Sequence, residues 1–181
     1  MSSWSPGPLP GVLRRALVPH SDDRGVFTEL WRSSWTEGLP GAPAESTMRQ
    51  ANLSLSLPGV LRGLHLHGRQ ADLWLVVEGH PFVGLVDVRP MLVGSGPAVV
   101  GTLEAVPGDA IYIPEGVAHG FLATDPLTLI YLVTNEYDAS DELGFRWDDP
   151  AVAVPWPNRS PLLSERDAAA PTLDELIASM A

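Results

Sequence analysis

A chain of 181 residues that is 45% hydrophobic suits one domain with a sizeable core, and its apolar runs are too short for a membrane helix. A formal net charge of −11 argues against nucleic acid as a partner, since phosphate binding needs a basic surface. Zero Cys excludes disulfides, thiolate ligands and Cys nucleophiles, and every basic residue is Arg, so Schiff-base chemistry and any lysine proton relay are excluded as well. The lack of Cys fits a cytoplasmic protein. The first ten residues lack the charged start and apolar core of a signal peptide.

Residues 1–20 are rich in Pro and Gly and are expected to form an arm, not a core element. Asp22-Asp23-Arg24-Gly25 reads as a turn, followed by a strand-like stretch over 26–31 and a loop over 33–47. Residues 50–57 then alternate, with Gln50, Asn52, Ser54 and Ser56 on one face and Ala51, Leu53, Leu55 and Leu57 on the other. Such a row of amides and hydroxyls suits either solvent or a wet binding pocket.

Residues 59–79 are the stretch the chain is organised around. The spacing is Gly59, five residues, His65, one residue, His67, four residues, Asp72, six residues, Gly79. Residues two apart in a strand share a face, so His65 and His67 point the same way. A second stretch answers it: Gly108, five residues, Pro114, one residue, Gly116, two residues, His119. Together they resemble the two motifs of the cupin superfamily, whose small β-barrels often hold a metal through three His and one carboxylate. Asp72 stands where Glu is usual, and Ala123 where Asn is usual. The resemblance implies a ligand set of His65, His67, Asp72 and His119 for a divalent ion, whether Fe, Mn, Ni, Co or Zn.

Strand-like runs over 82–88, 98–105, 110–113, 119–123 and 127–134 follow, each bounded by Gly, Pro or a turn. Many short strands without helical crossovers predict an all-β jelly-roll barrel. Beyond residue 140 a Pro-punctuated tail ends in a short helix, with Thr172 and Glu175 as a capping box and Leu173, Leu176, Ile177 and Met180 as its apolar stripe. The expected organisation is an N-terminal arm over 1–20, a cupin jelly-roll barrel over 21–140, and a C-terminal tail with a short helix over 141–181.

From about residue 20 to residue 172 the chain also resembles one cupin branch, the dTDP-4-dehydrorhamnose 3,5-epimerases. The matching pieces include Asp22-Asp23-Arg24-Gly25 with Glu29, Gln50-Ala51-Asn52-Leu53-Ser54 and Gly59-Val60-Leu61-Arg62-Gly63-Leu64-His65. Further matches are Ile111-Tyr112-Ile113-Pro114-Glu115-Gly116-Val117-Ala118-His119-Gly120-Phe121, Tyr131 to Tyr137, Trp147-Asp148-Asp149-Pro150, Trp156-Pro157 and Leu163-Ser164-Glu165-Arg166-Asp167. The resemblance implies an epimerase of a nucleotide-linked 4-keto-6-deoxysugar that needs no cofactor and works as a homodimer. In it His65 removes the proton beside the C4 ketone, Asp167 orients His65, and Tyr131 delivers a proton to the opposite face. The resemblance gives Arg24 and Arg62 to the diphosphate and Gln50, Asn52 and Glu29 to the nucleoside, with His119 and Tyr137 as further substrate contacts.

The family's lysine, which stabilises the enolate oxygen, aligns with Asp72, and Arg69 is the nearest cation in sequence to replace it. The family also usually lacks a His at the position of His67. The alternative reading is therefore a metal-dependent cupin enzyme, an isomerase, lyase or oxygenase, using three His and one Asp. A catalytically silent ligand-binding cupin would show neither metal nor turnover.

Simpler roles are open for several of these residues. His67 suits a strand end bonded to backbone, Asp72 an ion pair with Arg69, and Tyr131 and Trp74 core positions. Strict alternation places Arg62 opposite His65, so either Gly63 introduces a bulge or Arg62 reaches a partner chain or neighbouring strand.

Overall fold

The computed structural model describes residues 3–39 and 48–180, so part of the loop expected over 33–47 lies outside the described residues. In chain order the strands are β1 (Ser5–Pro6), β2 (Leu13–Ala16), β3 (Pro19–Asp22), β4 (Gly25–Thr28), β5 (Gln50–Ser56), β6 (Leu61–Leu66) and β7 (Asp72–Glu78). They continue as β8 (Pro81–Asp87), β9 (Val99–Glu104), β10 (Asp109–Ile113), β11 (Val117–Ala123), β12 (Leu127–Val133) and β13 (Leu143–Gly144). The α-helices are short: α1 (Arg89–Leu92), α2 (Glu165–Ala168) and α3 (Leu173–Met180).

One large sheet runs β1-β2-β10-β7-β12-β5, the other β13-β6-β11-β8-β9, and β3-β4 form a separate hairpin. Trp74, Ile111 and Leu129 from the first meet Val83, Leu85 and Phe121 from the second in one buried cluster. The all-β jelly roll is thus two facing sheets that share no strand, not a closed hydrogen-bonded barrel. The tail covers the outer face of the five-stranded sheet, where Phe145, Trp156, Leu173 and Leu176 pack on Leu64, Leu66 and Val86. Its helix α3 starts at the expected capping box, with the Thr172 N–H donating to Glu175 Oε2 (2.8 Å) and the Glu175 N–H to Thr172 Oγ1 (3.3 Å).

The N-terminal segment is not an arm. Strand β2 pairs with β10 along its length, Leu9 and Val12 are buried in the inter-sheet cluster, and Arg14 grips Asp109 through two nitrogens at 2.9 and 2.5 Å. Pro and Gly here punctuate strands of two to four residues, too short to show an alternation in sequence.

A bulge in β6 sets up the site. His119 lies opposite His65 and Phe121 opposite Arg62, so β6 carries one more residue than β11 across this stretch. Gly63 occupies φ +121° there, and a Cβ on it would stand 2.6 Å from the Cα of Gly120. Only glycine fits so close an approach of two backbones. The extra residue turns both Arg62 and His65 toward the same cavity. Among the described residues no helix is long and apolar enough to cross a membrane.

Candidate active site

A cavity of ≈ 640 Å³ is lined by His65 and His119 from the five-stranded sheet and by Asp72, Trp74 and Tyr131 from the six-stranded one. Edge strand β5 supplies a third wall, and its alternation runs opposite to that of a core strand. Gln50, Asn52 and Ser54 are part-buried and line the cavity, whereas Leu53 and Leu55, which also border it, and Leu57 are 64%, 67% and 71% exposed. Burying a polar row requires hydrogen-bonding partners, which a wet or ligand-filled cavity provides.

His65 and Asp167 meet across the fold. His65 Nε2 lies 2.8 Å from Asp167 Oδ1, although 102 residues separate them. The Asp167 backbone N–H in turn donates to Ser164 Oγ at the start of α2 (3.1 Å). Burial alone would raise the Asp167 pKa, but the His65 bond and charge, with Ser164 and Arg166, outweigh it and hold the carboxyl below its usual range. The carboxylate therefore accepts, His65 carries its proton on Nε2, and Nδ1 keeps the free lone pair. Tyr131 stands half-buried on β12, opposite Asn52 and Trp74 in register. Burial, followed by the charges of Asp72 and Glu142, pushes its phenol pKa up, against a smaller opposing effect of Arg62. The phenol is kept protonated, as a proton donor must be.

The metal set read from the motif is corrected in one member. His67, Asp72 and His119, all buried, bring one ligand atom each within 4.8 Å of one another, and His65 is not among them because it is turned to Asp167. His67 Nδ1 donates to the Asp141 carbonyl (2.9 Å), and His119 Nδ1 to the Val117 carbonyl (3.0 Å). Burial pushes the His119 imidazole down to about 4. Asp72 forms no ion pair with Arg69. Its oxygens accept from Gln70 Nε2 (2.9 Å) and Trp74 Nε1 (3.2 Å). Arg69, the cation expected to replace the lysine that the resemblance implies, reaches away to Asp138 (2.7 Å) and does not line the cavity.

Of the expected substrate contacts, Gln50, Asn52, Arg62, His119 and Tyr137 line the cavity. Gln50 ties the wall together by donating to Asn52 Oδ1 and accepting from the Tyr137 N–H, both at 2.9 Å. Arg62 Nε donates to Ser56 Oγ (3.2 Å). Arg24 and Glu29 do not reach the cavity of their own chain. Arg24 folds back on Asp22 (2.6 Å), Glu29 pairs with Arg32, and their hairpin belongs to neither large sheet. Sequence reasoning missed Glu142 and Arg166, which also line the cavity and pair at 2.8 Å. Adjacency to Asp167 was the one signal available for Arg166.

Residues 6–175 match the family model described as dTDP-4-dehydrorhamnose 3,5-epimerase. The chain belongs to that family. It is similar to the dTDP-4-dehydrorhamnose 3,5-epimerase of Mycobacterium tuberculosis, at 37% identity over 94% of this chain and 87% of that protein. Among solved structures, NovW, a 4-keto-6-deoxy sugar epimerase from the novobiocin gene cluster of Streptomyces spheroides, superposes with a TM-score of 0.81 at 35% identity, covering 99% of this chain and 92% of that one. The Legionella pneumophila epimerase in complex with dTDP-4-keto-L-rhamnose gives a TM-score of 0.84 at 29% identity, covering 99% and 97%.

Proposed function

We propose that the chain epimerises a nucleotide-linked 4-keto-6-deoxysugar by moving protons on and off a carbon beside the C4 ketone. The observation that carries this reading is the His65–Asp167 pair at 2.8 Å in one cavity with the protonated Tyr131. His65 Nδ1 takes the proton, the C–H electron pair becomes an enolate, and the Asp167 carboxylate steadies the resulting imidazolium. Tyr131 O–H then returns a proton to carbon from the other face, inverting it, and solvent resets both groups. No electron or group leaves the substrate, so this step calls for no redox or carrier cofactor. Arg62 and Arg166 are the cavity's cations and suit the diphosphate, while the β5 amides suit the nucleoside.

The same reading includes a homodimer and a cytoplasmic location. Support for pairing comes from β5, an edge strand with an exposed leucine row, and from Val26 and Phe27 on β4 at 66% and 69% exposure. Such surfaces are normally covered. Sedimentation at micromolar concentration should give a dimer, and a monomer would contradict it.

The test of the reaction is deuterium uptake. Incubated in heavy water, a 4-keto-6-deoxy nucleotide sugar should gain deuterium beside the ketone. His65→Ala should lower uptake by roughly 10²–10⁴-fold. Tyr131→Phe should spare abstraction and impair inversion. Absence of uptake with several such sugars contradicts the reading.

A further inference from the structure

Deprotonation beside a ketone places negative charge on oxygen, and catalysis requires something positive there in advance. This chain has no Lys, and Asp72, at the position where the family resemblance implies one, is a buried carboxylate. Left uncompensated, that carboxylate opposes an enolate. Among the described residues its one partner at ion-pair distance is His119, with Nε2 and Oδ2 3.5 Å apart.

The hydrogen bonds around His67 and His119 decide what this corner can hold. A backbone carbonyl only accepts, so the bonds to Asp141 and Val117 place the ring proton of each histidine on Nδ1. Each Nε2 then offers a lone pair. At His119 that lone pair faces a carboxylate oxygen, two acceptors with no donor between them. Asp72 is itself held by two side-chain donors, Gln70 and Trp74. Imidazoles anchored through Nδ1–H to carbonyls, beside a carboxylate fixed by donors, form the outer-shell arrangement of metal ligands. The distances fit with small movement. Metal–ligand bonds of about 2.0–2.2 Å put neighbouring ligand atoms roughly 3–3.5 Å apart. The His119–Asp72 separation meets that now, and the widest must close by about an ångström or more.

We propose that His67, Asp72 and His119 bind a divalent transition-metal ion at the cavity wall, with open positions toward the substrate, while His65 stays metal-free as the base. Two His and one carboxylate leave coordination positions vacant, unlike a closed structural site. When bound, such an ion acts as a Lewis acid on the ketone oxygen and turns this corner from net negative to net positive. That role rests on the epimerase reading, but the binding does not. The chain's own residues divide the work. Gln70 and Trp74 aim the carboxylate, Asp141 and Val117 fix the two tautomers, and Asp167 keeps His65 out of the ligand set.

The experiment is a titration of the chelator-treated full-length protein with cobalt(II), followed by visible absorption and proton NMR. We expect saturable binding of one cobalt per chain and two exchangeable, paramagnetically shifted N–H resonances, from the Nδ1–H groups of His67 and His119. Asp72→Asn and, separately, His67→Gln should weaken binding on the order of 100-fold or more. His65→Gln should bind cobalt like wild type. The wild-type spectrum requires no variant to fold, so the proposal stays testable if one does not. No saturable binding below millimolar cobalt overturns it, as do three shifted N–H resonances or loss of binding in His65→Gln. Deuterium uptake separates the two claims. Binding without uptake leaves the metal site standing and removes the epimerase reading, whereas undiminished uptake by metal-free protein removes the ion's role in the reaction.

Discussion

His65 on β6 and His67 just past its end sit two residues apart and line one cavity, yet their second nitrogens meet different partners. Nε2 of His65 is held by the Asp167 carboxylate, and Nδ1 of His67 by a backbone carbonyl. A carboxylate stabilises an imidazolium and so suits a base. A carbonyl fixes the tautomer without adding charge, and so suits a ligand or a neutral donor. Both also differ in exposure, with side chains 29% and 7% accessible. The lesson is that a histidine's role follows the partner of its other nitrogen more than its place in a motif.

That contrast can be broken from either side. The largest effect is expected from Asp167→Asn, which replaces the charge partner of His65 and should cut turnover roughly 10²–10⁴-fold while leaving metal content unchanged. Steady-state kinetics with elemental analysis of the same sample checks both halves. Gly63→Ala comes next. Its new Cβ would stand 2.6 Å from Gly120 Cα, so the bulge that aligns Arg62 with His65 must open, at about 3 kcal/mol or more in urea unfolding.

A pH effect of similar size should come from His119. Its folded-state pKa is lowered from 6.5 to about 4, chiefly by burial. As pH falls through that window the unfolded chain takes up a proton that the folded chain refuses, so stability is lost on acidification. The sign is that of a depressed base. Metal-free wild type should lose about 3 kcal/mol from this group between pH 7 and 4, a loss that His119→Gln lacks. Comparing urea midpoints of the two proteins at both pH values isolates it.

The smallest effect falls on the His67 side. Asp141 accepts the Gly68 and Arg69 backbone N–H groups at 2.9 and 3.1 Å and holds the loop that follows His67. Asp141→Ala should cost about 1–2 kcal/mol and weaken cobalt binding about tenfold, with His65-dependent proton transfer to the substrate less affected.

Most of the strands were legible in the sequence because Gly and Pro bound short apolar runs, and α3 was legible because its capping box and stripe are local. The alternation over 50–57 was equally plain, but not which face turned inward. Polar residues face the cavity there because β5 is a sheet edge, a fact of topology that no local pattern carries. The N-terminal strands were hidden by their shortness. The spacing of His65, His67, Asp72 and His119 suggested one four-residue cluster, and its division depends on Asp167, brought in by the tail. The phase conflict between Arg62 and His65 left a bulge at Gly63 as one alternative beside a reach to a partner chain or neighbouring strand, and the register shift is there. The cavity positions of Glu142 and Arg166 were not.

The central claim is that one cavity holds two kinds of histidine, and ring tautomers test it most directly. Long-range nitrogen–proton NMR on ¹⁵N-histidine-labelled, metal-free protein near neutral pH should show His67 and His119 protonated on Nδ1 and His65 protonated on Nε2. Finding His65 on Nδ1, or His67 or His119 on Nε2 alone, would contradict the division of base and ligand argued from the structure.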